Sequence, residues 1–419
     1  MNLTKEYLLN ESKTFCILPW IHLYVNPQGV SAPCCISSYA ATDAGVGNTK
    51  VNTINYIVNS SAMIKLRSNM LNGTQDSSCS ACYNYENQGM TSPRHSNNEE
   101  LANTLDQDML FEVGNVLNFK MKYFDIRFSN ICNFKCRSCG AKCSSLWEQE
   151  DNQQNINTRI IPKENRKEFL QEVIDQIQHI DTAYFAGGEP LITEEHYVLL
   201  EEMIRQKRTD IKLKYNTNLS NLKFKDKDLL GLWKHFSNDI QVYASIDHYG
   251  ERAEYIRHGT NWAQVENNFL MVKKTPYIRL QMNSVLSIYN CSTMLEFYEY
   301  LYEKKLYDIY DRSNSLYHLS APSYLSANIL PPEYQVLARA NLSKAIDYLN
   351  LLDKQCNVYH VGRTSDKIKQ FSNSIAWLQQ DSTWEQSKKE FILETKRLDK
   401  IRGESFVKTF PELAGLMED

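Results

Sequence analysis

Three cysteines, Cys132, Cys136 and Cys139, stand in the run Cys-Asn-Phe-Lys-Cys-Arg-Ser-Cys, directly after a strand-like stretch. Three thiolates this close can hold three irons of a cubane cluster and leave the fourth iron open to a second molecule. A structural zinc site normally takes four ligands, often as two Cys-x-x-Cys pairs. The nearest fourth cysteine is Cys143, which can instead face the core, as free cysteines often do. The spacing points to reactive iron-sulfur chemistry, with zinc as the alternative.

A second group precedes it. Cys16 opens Cys-Ile-Leu-Pro-Trp, Gly29 follows, then Cys34 with Cys35 adjacent, and finally Cys79-Ser-Ala-Cys82. Two separated cysteines plus a Cys-x-x-Cys pair can supply a closed four-ligand site for zinc or iron-sulfur. A third motif is Gly187-Gly188-Glu189-Pro190. Its glycines let backbone approach a ligand, its carbonyls or Glu189 can meet an ammonium group, and Pro190 stiffens the exit. The plainer reading is an ordinary strand-to-helix turn.

These residues need elements to hold them. Phe124, Ile126 and Phe128 alternate as a half-buried strand would. Further strands are expected at 182–186, at Ile211, Leu213 and Tyr215, at Ile240 to Ile246, at Ile278, Leu280 and Met282, and at 316–319. Helical patterns lie between them, one starting with Thr193 as N-cap and Glu194 and Glu195 in its first turn. Six strand-helix units predict a parallel α/β fold, a partial (β/α)6 TIM-like barrel. Polar residues at strand ends then face one mouth: Asn218, Ser245, Asp247 and Arg257. An arginine fork suits a carboxylate, and Asp247 is the candidate for proton exchange with a substrate. Capping and surface pairing are the plainer readings of Ser245 and Arg257.

The first hundred residues are rich in Asn and Ser and too loop-like to bury a large core alone, so a metal staple is expected there. One helix is expected over 54–71 and another near 98–113. The division expected is 1–95 for a small metal domain, 96–120 for a connector, 121–332 for the barrel and 333–419 for C-terminal helices.

The chain has 419 residues, 42% hydrophobic and 23% charged, with a formal charge of -4. That balance suits a globular protein with a full core and argues against general nucleic-acid or anionic-membrane binding. Nine of the eleven cysteines lie between Cys16 and Cys143, and the N-terminus carries no long apolar run. Clustered cysteines without a signal segment imply metal ligation in a cytoplasmic protein rather than disulfides.

At the cysteine triplet the chain resembles the radical S-adenosylmethionine (radical SAM) family. The resemblance implies a 4Fe-4S cluster on Cys132, Cys136 and Cys139 whose open iron chelates SAM. It also implies reductive cleavage to methionine and a 5′-deoxyadenosyl radical, and an external flavodoxin- or ferredoxin-type electron donor. Gly187, Gly188, Glu189 and Pro190 match the family's motif for the SAM amino group. Ser245 and Arg257 match positions that in the family often contact the SAM ribose or carboxylate, and Asn218 at its strand end is counted with them as cofactor-binding. One departure is Ser138, where an aromatic residue usually touches adenine; Phe134 nearby reads as core. Cys16, Gly29, Cys34, Met63 to Arg67, Cys79, Cys82, Glu86, Gly89, Ser92 and Arg94 resemble the SPASM and twitch auxiliary domains. These imply a second 4Fe-4S cluster on Cys16, Cys34, Cys79 and Cys82, with Cys35 the alternative to Cys34. An auxiliary domain before the barrel resembles the N-terminal-twitch radical SAM proteins, reported chiefly from phages and environmental bacteria. The implied substrate is a peptide or protein, with a nucleoside, sugar or other small metabolite as the alternative. A non-enzymatic iron-sulfur electron carrier is the reading outside catalysis.

Overall fold

A computed structural model of the chain describes residues 4–87, 90–105, 116, 119–156, 167–236, 240–307, 315–355 and 364–418. Gly89 lies outside them. The chain forms two compact units interleaved along the sequence. Met1–Cys132, Asp151–Asn216 and Lys223–Gln241 make the first; Asn133–Glu150, Thr217–Leu222 and Val242–Asp419 make the second.

The first unit is built on strands β1 (His22–Val25), β2 (Val30–Ala32), β3 (Gly47–Asn48), β4 (Tyr123–Ile126), β5 (Thr182–Phe185) and β6 (Lys212–Thr217, up to Asn216 in this unit). Their order is β6-β5-β4-β1-β2-β3. Phe124, Ile126 and Phe128 are buried as expected, but Asp125 between them is buried too, so the half-buried alternation holds on β6, with Leu213 and Tyr215 inside, and not on β4. β4, β5 and β6 pair in parallel.

The N-terminal segment finds its core by joining this sheet. β1 pairs in parallel with β4, Leu23 opposite Phe124, and every residue of β1 is buried. β2 folds back antiparallel through a turn closed by Gly29 at φ +79°, a backbone angle that glycine adopts without strain. Asn26 Oδ1 accepts from Gln28 N and Val30 N at 3.0 Å and pins that turn.

Three helices depart from expectation. The helix over 54–71 is two, Ile54–Val58 and Ser61–Leu71, because Ser60 Oγ accepts from Met63 N and restarts the chain as an N-cap. The helix near 98–113 starts earlier, at Pro93 behind the Ser92 cap, and ends at Leu101; residues 106–113 lie outside those described. Thr193 stands at the N-cap of Glu194–Arg205 but does not cap it: its Oγ1 donates to Pro190 O at 2.9 Å. Glu194 and Glu195 do occupy the first turn.

The second unit carries β7 (Ile240–Ser245, from Val242 on in this unit), β8 (Ile278–Leu286) and β9 (Ser315–His318), in the order β9-β8-β7. β8 and β9 are parallel, with Ser284 opposite Leu316. Leu280, expected on the buried face of β8, is only half-buried. The C-terminal region is helical as expected: Pro332–Gln355, Ser365–Trp377, Trp384–Arg402 and Phe406–Thr409. Phe391, Phe406 and Phe410 pack there with Tyr255 and Tyr289. Among the described residues no helix is long and apolar enough to cross a membrane.

One core contact in the first unit gives a pH test. His196 Nε2 lies 3.1 Å from the Tyr215 hydroxyl, which also accepts from Trp233 Nε1 at 3.0 Å. Burial pushes the His196 imidazole down to about 3. The unfolded chain therefore takes up this proton first. Stability from this group is complete above its ordinary value near 6.5 and falls as pH drops toward about 3. We expect the urea midpoint to decline below pH 6.5, with His196 contributing about 1.4 kcal/mol per pH unit. His196→Leu should flatten that slope; an unchanged slope would show that His196 does not contribute.

Candidate iron-sulfur and cofactor sites

In the first unit, Cys16, Cys34, Cys35, Cys79 and Cys82 line one cavity of about 200 Å3, together with His22, Arg94, Tyr123 and Asp125. Cys16 precedes the short helix Leu18–Ile21, Cys34 and Cys35 follow β2, Cys79 ends a 3-10 turn, and Cys82 lies in helix Ser80–Asn87. The cavity far exceeds the roughly 30 Å3 share of a single water. Among the described residues no three His, Cys, Asp or Glu side chains close on one ion. Five thiols around a cavity of this volume leave room for a multi-atom cluster. Cys34 has Cys16 and Cys79 as electrostatic neighbours. Cys35 is exposed and lies near Asp125, Arg127 and Cys82.

Burial pushes the Cys16 thiol up to about 12, with Cys79 and Cys82 adding to the rise. Burial likewise pushes Cys79 to about 11 and raises Cys34, Cys35 and Cys82. Metal binding must displace these protons. Arg94 works in the opposite direction on Cys16, Cys79 and Cys82. Its guanidinium is fixed bidentately by Glu86, at 2.9 and 2.8 Å, and donates to Phe15 O and Ser12 O at 2.8 and 3.1 Å. Ser92 Oγ donates to the same Glu86 at 2.6 Å.

The Gly187–Pro190 turn also lies in the first unit. The close backbone approach that demands glycine there is to the protein itself. A Cβ on Gly188 would stand 2.1 Å from Ile131 O, next to Cys132. Glu189 N donates to that same carbonyl at 2.7 Å. The Glu189 side chain is buried, and its Oε1 accepts from Leu191 N at 3.0 Å, capping the turn that Pro190 opens.

Cys136 and Cys139 belong to the second unit, as do Asn218, Ser245, Asp247 and Arg257. Lys135–Cys136 pairs antiparallel with Arg257–His258, Cys136 opposite Arg257. Arg257 Nη1 lies 3.8 Å from Cys136 Sγ, and Arg257 Nε 2.8 Å from Asp247 Oδ2. Burial raises the Cys136 thiol, and the Arg257 guanidinium opposes that rise. Burial also works against the charge of Arg257, but Asp247 and Cys136 outweigh it and hold the guanidinium protonated. Asp247 Oδ1 accepts from Val285 N at 2.7 Å. Asp247 thus sets one oxygen beside Arg257 and the other on the backbone of Val285. Ser284 Oγ donates to Ile246 O at 2.6 Å and fixes the end of that strand. Asn218, Ser245, Asp247 and Arg257 share one small cavity wall with Phe134 and Trp262. Asn218 Nδ2 donates to Asn133 Oδ1 at 3.0 Å, and Asn133 Nδ2 to Ser220 Oγ at 2.9 Å, so Asn218 braces the loop after Cys132. Phe134 is core, as expected, and Ser138 is half-buried. Cys143 is exposed rather than facing the core, and its hydrogen bond to Cys139 is the first cause of the raised Cys139 thiol.

Residues 126–290 match the radical SAM superfamily, and residues 16–83 match SPASM, an iron-sulfur cluster-binding domain. The radical SAM likeness thus falls on the segment that holds Cys132, Cys136 and Cys139. Domains of these two kinds bind 4Fe-4S clusters. The chain is 31% identical over 107 residues to GTP 3′,8-cyclase of Campylobacter lari, covering 26% of this chain and 30% of that protein. Among solved structures, anSMEcpe with bound AdoMet and Cp18Cys peptide is 19% identical with a TM-score of 0.35, covering 52% of this chain and 57% of that one. Streptococcus suis SuiB bound to precursor peptide SuiA is 14% identical with a TM-score of 0.36, covering 73% and 67%. The chain spans under a third of the length of the curated relative it matches.

His22, Tyr123 and Asp125 in the auxiliary cavity were not legible from spacing. They reach it because β1 and β4 are neighbours. In the radical SAM segment, Arg137 gave no signal beyond its place between two cysteines.

Two outcomes test these sites. Two cubanes correspond to about eight irons per chain, and Cys16→Ser with Cys79→Ser should leave about four. Retention of all the iron would exclude the N-terminal site. Gly188→Ala should force the turn from Ile131 and cost about 1–3 kcal/mol by overpacking. Chemical denaturation measures this, and a cost near zero would mean that the approach at Gly188 relaxes freely.

Proposed function

We propose that the chain is an enzyme that reductively cleaves S-adenosylmethionine to methionine and a 5′-deoxyadenosyl radical, which abstracts hydrogen from a peptide or protein substrate. The observation that carries this reading is Arg257, held by Asp247 beside Cys136 within the segment that matches the superfamily. A fixed cation next to a ligand thiol suits both a thiolate and an anionic ligand group.

In this reading Cys132, Cys136 and Cys139 hold the cluster that binds SAM, and Gly187 to Pro190, Asn218, Ser245 and Arg257 form its seat. Glu189 serves by shaping the turn, since its carboxylate already caps Leu191 N. Residues 1–95 form the auxiliary-cluster domain, 96–120 a connector, 121–332 the catalytic segment and 333–419 a helical region. A flavodoxin- or ferredoxin-type protein supplies the electron in the cytoplasm. The auxiliary domain favours a peptide or protein substrate, because superfamily members with such domains often modify these. A nucleoside, sugar or other small metabolite is the second reading, and the likeness to GTP 3′,8-cyclase supports it.

The test is anaerobic reconstitution, reduction with dithionite and incubation with SAM. We expect 5′-deoxyadenosine and methionine in equal amounts, and at least about a hundredfold less from Arg257→Met, the scale set by losing one buried charged contact. No 5′-deoxyadenosine with both clusters intact would leave an iron-sulfur electron carrier instead.

A further inference from the structure

Helix Trp384–Arg402 ends in a charged stretch. In the second unit it is buried against the loop that carries Cys136. Arg137 is 1% exposed, and its Nη2 donates to Asp399 Oδ1 and to Glu404 Oε2, both at 2.6 Å. Its Nε donates to Tyr255 O at 3.2 Å, with the guanidinium 3.6 Å over the Tyr255 ring. Arg402 Nη1 donates to Lys135 O at 3.0 Å, and its Nη2 to Glu150 Oε1 at 2.7 Å. The Lys135 ammonium pairs with the same carboxylate. The Arg402 guanidinium also lies 4.5 Å over the Trp147 ring, whose Nε1 donates to Cys136 O at 2.8 Å.

Three consecutive residues centred on one thiol are thus each held, directly or through Trp147, by groups more than 250 positions later. Apolar packing could close this seam as stably, because burying ion pairs carries a desolvation cost that often cancels their attraction. Directional, bidentate contacts add fixed geometry instead.

We propose that Asp399, Arg402 and Glu404 form a C-terminal clamp of positioning residues that sets the orientation of Cys136 and Cys139 for their cluster. The proposal rests on reading those two thiols as cluster ligands. The clamp acts on the loop before any iron arrives, so the iron-free protein presents the thiols already placed. It also fixes the backbone and the hydrogen bonds around the ligand thiols, and such surroundings tune reduction potential.

The experiment compares wild type with Arg402→Met and with Glu404→Gln, which removes the carboxylate charge and one of the two oxygens that serve Arg137 and His258. In iron-free protein, Cys136 and Cys139 should alkylate about tenfold faster in both variants, as expected when a local opening becomes easier. Cys79, in the first unit, should keep its wild-type rate and so report an intact fold. Arg402→Lys should restore part of the protection, as an ammonium keeps the charge but loses the fork. After reconstitution, the midpoint potential of the cluster on this loop should shift in Glu404→Gln while the auxiliary signal stays. Wild-type alkylation at Cys136 in both variants, with an unshifted potential, would overturn the clamp. If Arg402→Met does not fold, the milder Glu404→Gln decides alone. Failure of the enzyme reading looks different: no 5′-deoxyadenosine, with the alkylation difference intact.

Discussion

A carboxylate-anchored arginine beside buried thiols is the interaction on which both cysteine sites depend. At both sites burial resists ionisation of the thiols, Cys16 and Cys136 among them. Each unit answers with a cation held by a carboxylate. Arg94 faces Cys16, Cys79 and Cys82 and is gripped by Glu86. Arg257 faces Cys136 and is gripped by Asp247. A free arginine would swing to water; the carboxylate holds it where its charge lowers the cost of ionising a sulfur.

The fold serves those placements. In the first unit the N-terminal hairpin gains burial by pairing β1 with β4, and the same pairing brings His22, Tyr123 and Asp125 to the wall of the five-cysteine cavity. In the second unit the strand end at Asp247 is fixed by Ser284 and Val285, so Arg257 has a rigid anchor. Gly188 is required by the packing of the chain on itself at Ile131, which is a firmer reason for glycine than access for a ligand.

Strands and helices were legible because they obey periods of two and 3.6 residues, as in Leu213 and Tyr215. Where local rules competed, expectation slipped. Ser60 looked like helix interior yet became an N-cap, and Thr193 looked like a cap yet turned its hydroxyl to Pro190. Cys143 had the option of facing the core, as free cysteines often do, yet it sits in an exposed turn. Asp247 was placed correctly at a strand end, but its commitment to Arg257 and Val285 depended on neighbours from other strands.

What the amino-acid sequence determined by itself was the inventory of reactive groups and the class of fold. Close spacing such as Cys132 to Cys139 survives any tertiary arrangement, because eight residues of chain cannot separate far. Only the tertiary structure decided which charges stand beside which thiols. Glu86 and Arg94 are near in sequence, but Arg137 meets Asp399 and Glu404 across more than 260 residues. Such partners carry no local period or spacing, since ion pairs between distant segments are set by packing and are recorded nowhere along the chain until it folds.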